Sequence, residues 1–257
     1  MEKHYPVVEL PLTFDQFLRL PRNAAYKYEY VGGRAVLSPR PKTFGCARDL
    51  SPVVADPLDP VEVRPLPRTD AAGLDDLFFR SVRQTQPFAS LDNDAARAAA
   101  GDCLAKTLAG DDGPLIEAAC FRAFTDRMKD GQPSAVGAAL VTLVPAEVLT
   151  VPYAEMWKGP PPEAGVEKRL GVPHLTWMFV EPLEGRRGVA SALLAKVVGA
   201  LRELGFATLA STFLLDNGPS ALWHWKHGFR LSPGWSALMR EGRKTFSRDA
   251  ESAERSA

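Results

Sequence analysis

Leu175-Thr176-Trp177-Met178-Phe179-Val180 is an apolar, aromatic run that reads as a buried strand. It leads into Glu181-Pro182-Leu183-Glu184-Gly185-Arg186-Arg187-Gly188, a basic turn with two glycines. From about Val189 to Leu204 the chain reads as a long helix, because Leu193, Leu194, Val197, Val198, Leu201 and Leu204 fall on one stripe. Gly205 supplies its stop, and Ala207 to Phe213 is the next strand. Strand, turn, helix and strand in this order predict a sheet with helices packed on it, an α/β or α+β domain.

The turn suits an anion. The first amides of a helix have no partner within it, and they point out of its positive end. Gly188 and Ala190 keep bulk away, and Arg186 and Arg187 add charge at the rim. Together these make a cradle for a pyrophosphate. A glycine-rich turn before a helix also serves tight packing alone, so the turn by itself leaves both readings open.

Outward from this unit, Val61 to Leu66 alternates as a strand, and Ala71 to Arg83 carries Leu74, Leu77, Phe78 and Val82 along one helical side. Asp94 to Leu108 reads as helix. Ala118 to Phe124 and Ala135 to Val144 read as buried strands joined by a charged turn. Residues 157–172, with Pro160, Pro161 and Pro162, form an exposed loop. Near the start, Phe14 to Leu20 is a short helix. Tyr26 to Val31, Gly32-Gly33 and Arg34 to Ser38 then make a hairpin, since glycine accepts the positive φ of tight turns. The division expected is an extension and linker over 1–60, with the linker from Arg48 to Pro60, a main domain over 61–235, and a charged, disordered tail over 236–257.

Two stretches resemble the GNAT superfamily of CoA-dependent N-acyltransferases. Val180-Glu181-Pro182 matches the family's Val-x-Pro at a strand end, and Gly188-Val189-Ala190 matches the second half of its phosphate loop. Gly185 stands where the family holds Gln or Arg, which weakens side-chain contacts but leaves the amides. From Asn217, the small Ser220, the aromatic Trp223 and then Gly228-Phe229 keep the spacing of the family's other signature. The resemblance spans roughly residues 61–235. The helix and hairpin of the first 45 residues or so resemble the opening of restriction-endonuclease-like proteins, but no nuclease residues follow.

The first resemblance implies a mixed, mostly antiparallel sheet flanked by helices and splayed between the strands ending at Val180 and Phe213, with acetyl-CoA in the gap. Met178, Phe179 and Val180 would pair with the pantetheine. Gly185, Arg186, Arg187, Gly188, Val189, Ala190 and Ser191 would hold the pyrophosphate, and Asn217 would face the arm. The reaction implied is acetyl transfer to the primary amine of a small molecule or peptide. The base position falls on His174, and His224 stands where the family presents a Tyr as acid. Glu181 is a weaker base, expected to point to solvent. Trp177, Trp223, Trp225 and Phe229 are expected in the core. A non-catalytic acyl-CoA-binding or protein-interaction module is the alternative.

Composition limits the partners. Lys+Arg and Asp+Glu are 31 each, so net charge gives no footprint for nucleic acid. The apolar run Ala135 to Val144 is too short to span a bilayer, and Met1 to Thr13 lacks the unbroken apolar stretch of a signal peptide, so a cytoplasmic protein is expected. Cys46, Cys103 and Cys120 are far apart and suit neither a disulfide framework nor a zinc site. The acceptor and the oligomeric state, a homodimer included, stay open.

Overall fold

The computed structural model describes residues 8–20, 26–39, 43–55, 57, 60–85, 88–129, 132–151, 156–214 and 217–232. The tail expected over 236–257 lies outside them.

The chain opens with β1 (Val8–Leu10), α1 (Phe14–Leu18), β2 (Tyr26–Val31) and β3 (Arg34–Pro39). The three strands form a small antiparallel sheet in the order β1-β3-β2. Gly32 and Gly33 take φ of 59° and 79° at the hairpin tip, as expected of that pair. Thr13 and Gln16 close a capping box on α1, and Phe14 and Phe17 pack their rings on Tyr30.

The rest builds one larger sheet. Its elements are β4 (Thr43–Asp49), β5 (Glu62–Pro65), α2 (Arg68–Ala71), α3 (Asp75–Val82), α4 (Asn93–Ala109), β6 (Phe121–Lys129), β7 (Gln132–Val144), β8 (Val172–Val180), α5 (Val189–Glu203), β9 (Thr208–Leu214), α6 (Gly218–Lys226) and β10 (Arg230–Leu231). The seven strands run in the order β10-β4-β9-β8-β7-β6-β5. Only β8 and β9 are parallel; the other pairs are antiparallel. This is the mixed, mostly antiparallel sheet with flanking helices that the resemblance implies.

One strand falls where the sequence reading expects extension and linker. β4 pairs with β9 along its whole length, from Thr43↔Leu214 to Asp49↔Thr208, and takes β10 on its other edge. Its residues include Gly45, Ala47 and Asp49, all poor strand formers. The strand exists because both its edges are paired.

Helices cover both faces. α5 lays Leu193, Leu194, Val197, Val198 and Leu201 on Val141, Leu143, Leu175 and Leu209, all buried. Each such side chain is worth about 1.5–3 kcal/mol when fully buried. On the opposite face α3 and α4 bring Leu77, Phe78, Ala96, Ala100 and Leu104 against Ala138, Leu140, Trp177 and Phe179. The alanines of α4 let it lie close to its neighbours. Asp92 caps its start by accepting from the Ala95 amide, and Gly110, at φ 97°, ends it.

Candidate active site

The crevice begins with a single extra residue. Along β7, Val141 pairs with Leu175 and Leu140 pairs with Trp177, so Thr176 is a bulge in β8. A bulge puts two neighbouring side chains on one face and bends the strand. Thr176 Oγ1 lies 2.8 Å from Thr142 Oγ1 and 3.1 Å from His174 Nδ1, while the Trp177 indole donates to Thr107 Oγ1 of α4 at 2.8 Å. Both therefore face α3 and α4. Leu175, Met178 and Val180 belong to the α5 side.

β8 and β9 separate at the same place. Their parallel pairing consists of His174↔Ala210 and Leu175↔Ser211. Beyond it, Met178, Phe179 and Val180 pair with β7 alone, and Thr212, Phe213 and Leu214 pair with β4 alone. The β8 edge that faces β9 has no strand partner there among the described residues. Such an edge offers backbone groups to an extended ligand.

Past Val180 the chain makes a short 3-10 turn, Pro182–Glu184, and enters α5 at Gly188, which caps the helix without a side chain. Ala192 donates to the Gly188 carbonyl at 3.0 Å. The amides of Val189, Ala190 and Ser191 have no acceptor among the described residues. They form the cluster of donors that the sequence predicts.

Three details at this corner differ from the sequence reading. Gly188 sits at φ 89°, and a Cβ on it would come within 2.6 Å of the Pro57 backbone, so its small size serves the left-handed turn and the close approach of residue 57. Arg187 is held at 3.2 Å by Glu184, whose side chain is buried, so Arg186 is the more exposed of the two arginines. Arg186 has φ 63°, a left-handed conformation that costs a non-glycine residue about 1–2 kcal/mol. Gly185 lies between these elements at φ −59°, an ordinary value.

Asn217 stands at the start of α6. Its side-chain oxygen accepts from the Ser220 amide at 3.1 Å, so capping uses its carbonyl and leaves its NH2 as the donor for any ligand.

The two histidines expected as base and acid lie on opposite faces of the sheet, near enough for their charges to interact. Neighbouring residues of a strand face opposite sides. His174 pairs with Ala210 and shares the α3/α4 face with Thr142 and Thr176. His224 bonds Ser211, the next residue of β9, which lies on the α5 face with Cys46 and Leu209. His174 is 5% exposed, and burial, aided by the charge of His224, pulls its pKa down to about 4. Its Nε2 has no partner among the described residues. An imidazole so placed is a weak base closed off from an incoming amine. His224 is also buried, with Nδ1 2.7 Å from the Ser220 carbonyl and Nε2 2.9 Å from Ser211 Oγ. Burial lowers its pKa, the Ser220 carbonyl opposes that shift, and His227 adds to it. Both its nitrogens are engaged, Nδ1 within α6 and Nε2 in tying α6 to β9, which is not the setting of an acid waiting for a thiolate.

Trp177, Trp223 and Phe229 pack in or against the core as expected. Trp225 does not: it is 53% exposed, with the Arg230 guanidinium 5.5 Å from its ring. Glu181 does not point freely to solvent. It takes two nitrogens of Arg80 at 2.8 and 2.9 Å, and Arg80 also bonds Asp76, which pairs with Arg97. This chain of charges ties the end of β8 to α3 and α4. No local pattern could have revealed it, since Arg80 and Glu181 are 101 residues apart. Asp92 caps α4, and Asp112 accepts the Thr107 hydroxyl.

The chain matches no family model, and no curated protein matches its sequence. Solved structures overlap it loosely. PaiA N-acetyltransferase from Thermoplasma acidophilum in complex with coenzyme A is 12% identical, with 66% of this chain and 90% of that one covered, at a TM-score of 0.45. A GCN5-related N-acetyltransferase from Sphaerobacter thermophilus is 16% identical, covering 74% and 48%, also at 0.45. An aminoglycoside N-acetyltransferase in complex with CoA is 22% identical, covering 67% and 90%, at 0.38. Among the described residues no helix is long and apolar enough to cross a membrane, and no group of three His, Cys, Asp or Glu could hold a metal ion.

Proposed function

We propose that the chain is an N-acyltransferase that moves an acetyl group from acetyl-CoA to a primary amine by direct attack. One observation carries this reading: β8 parts from β9 just before it feeds a helix whose first three amides are unpartnered. An open strand edge and a donor cluster, adjacent in the chain, suit a ligand with an extended amide-bearing arm and a diphosphate.

Val189, Ala190 and Ser191 would hold the diphosphate through their amides, with Arg186 and Arg187 at the rim and Gly185 and Gly188 shaping the turn. The unpaired edge at Met178, Phe179 and Val180 would pair with the arm, and Asn217 would donate to it from α6. Acetyl-CoA would supply the activated acyl group as a thioester. A backbone amide of the Met178–Val180 edge is the natural holder of the oxyanion, because a fixed N–H needs no reorganisation when charge develops. The amine's proton is not routed through His174 or His224, because each is enclosed. Catalysis would then rest on positioning and oxyanion stabilisation: the neutral amine would form the C–N bond, the C–S bond would break, and the proton shed by the nitrogen would pass, directly or through water, to the departing CoA thiolate.

A second reading, a module that binds acyl-CoA without turning it over, is favoured by that same enclosure of the two histidines. Thermal melting with and without acetyl-CoA, followed by release of free thiol with a panel of primary amines, separates the two. A stabilising shift with thiol release supports the transferase, a shift without release supports the module, and no shift at millimolar acetyl-CoA removes both.

A further inference from the structure

His227, the residue that closes α6, lies against the first turn of α5. Its Nε2 is 3.0 Å from Ser191 Oγ, its carbonyl accepts a 2.7 Å bond from Arg48 of β4, and its ring packs 4.8 Å from that of Trp223. It is 9% exposed. Ser191 is the third residue of α5, so its own amide belongs to the unpartnered cluster.

A serine hydroxyl beside an imidazole has two arrangements. When Nε2 accepts, the single hydroxyl proton points at the ring and the oxygen's lone pairs are left for the cradle. When Nε2 carries a proton, it donates to Oγ, and the hydroxyl proton is released to donate elsewhere. The neutral ring permits either arrangement, whereas the imidazolium permits only the second.

We propose that His227 is a positioning residue for the diphosphate: it takes up a proton as the anion binds and turns the Ser191 hydroxyl into a further donor beside the amides of Val189, Ala190 and Ser191. This rests on the acyl-CoA reading of the corner. Among the described residues, the charged groups that act on His227 are two cations, Lys226 beside it on α6 and Arg48 from β4; His224, one turn back on α6, is its titratable neighbour, and the first turn of α5 presents Ser191 and no carboxylate. Burial first, and then these two charges, push its pKa below that of a free imidazole, which favours the neutral ring before an anion binds. A diphosphate would offset both cations and raise the affinity for the proton. By linkage, binding must then tighten as pH falls.

Calorimetry of the full chain with dephospho-CoA tests this. That ligand keeps the diphosphate but lacks the phosphomonoester, whose own second ionisation near pH 6 would confuse the result. Titrations at pH 6 and pH 8, in buffers of different ionisation enthalpy, count the protons taken up. The wild-type protein should bind about tenfold more tightly at pH 6 and take up a substantial fraction of a proton. His227→Gln should abolish both the uptake and the pH slope, and Ser191→Ala should bring the affinity at pH 6 close to that at pH 8. Binding that does not vary with pH, or proton uptake that survives in His227→Gln, would overturn the role of His227 and leave the corner's anion site standing. A wild-type protein that binds no dephospho-CoA at either pH would overturn the corner reading as well. If His227→Gln fails to fold, the wild-type proton count and Ser191→Ala decide the matter.

Discussion

Near its start β8 is bound to β9 by two backbone pairs and by the Ser211 hydroxyl, which donates to the Leu175 carbonyl; Thr142 joins Thr176, and through it His174, to β7 on one face, while His224 holds Ser211 to α6 on the other. Three residues further, the same strand has β7 on one edge and, among the described residues, no strand on the other. The closed end is where the two candidate catalytic histidines lie, and the open end is where the unpaired backbone lies. The contrast separates closing from chemistry. His224 helps fasten the vertex through Ser211, His174 is buried beside it, and the arms beyond it present main-chain groups.

That contrast can be broken most severely from behind the open arm. Phe78 is fully buried and meets the rings of Trp177 and Phe179 edge-on at 4.7 and 5.0 Å. Phe78→Ala should cost about 3–5 kcal/mol in urea denaturation; a loss below 1 kcal/mol would mean that the arm is supported in some other way. The closed end has its own test, in acid. A histidine whose folded pKa is depressed contributes stability that is intact above the unfolded value near 6.5 and is lost as pH falls towards the folded one. For His174, at about 4, the loss across that window is about 3 kcal/mol. His174→Gln should therefore flatten the decline of the urea midpoint between pH 7 and pH 4.5, and curves that run parallel to wild type would show that its burial is not what matters. The smallest effect belongs to the corner between the two ends. Gly188→Ala should lose about 1–3 kcal/mol of thermal stability without any ligand, from its left-handed backbone and the nearby Pro57. An unchanged melting temperature would separate Pro57 from Gly188.

How much of this could be read in advance depends on the range of each signal. The stripe of α5 and the Gly32-Gly33 hairpin are written within a few residues, and each forms as read. The bulge at Thr176 has no marker of its own, since a threonine in an apolar strand looks like any other strand residue. Trp225 shares its sequence neighbourhood with Trp223, yet only the rotation of α6 against β9 turns one inward and the other out. His174 was legible as a strand histidine, but its enclosure depends on β7 and β9 arriving from either side.

From the order of residues alone came a buried strand, a glycine-bearing turn and an amphipathic helix, with an arginine rim and free amides at the helix start, because periodicity and capping are properties of neighbouring residues. Tertiary structure alone decided that β4 enters the sheet beside β9, that Pro57 rests on Gly188, that Glu181 is bound by Arg80 and that both histidines are sealed in. Those outcomes join segments far apart in the chain, and their energies come from shared edges, buried area and charge pairing, which no local stretch contains.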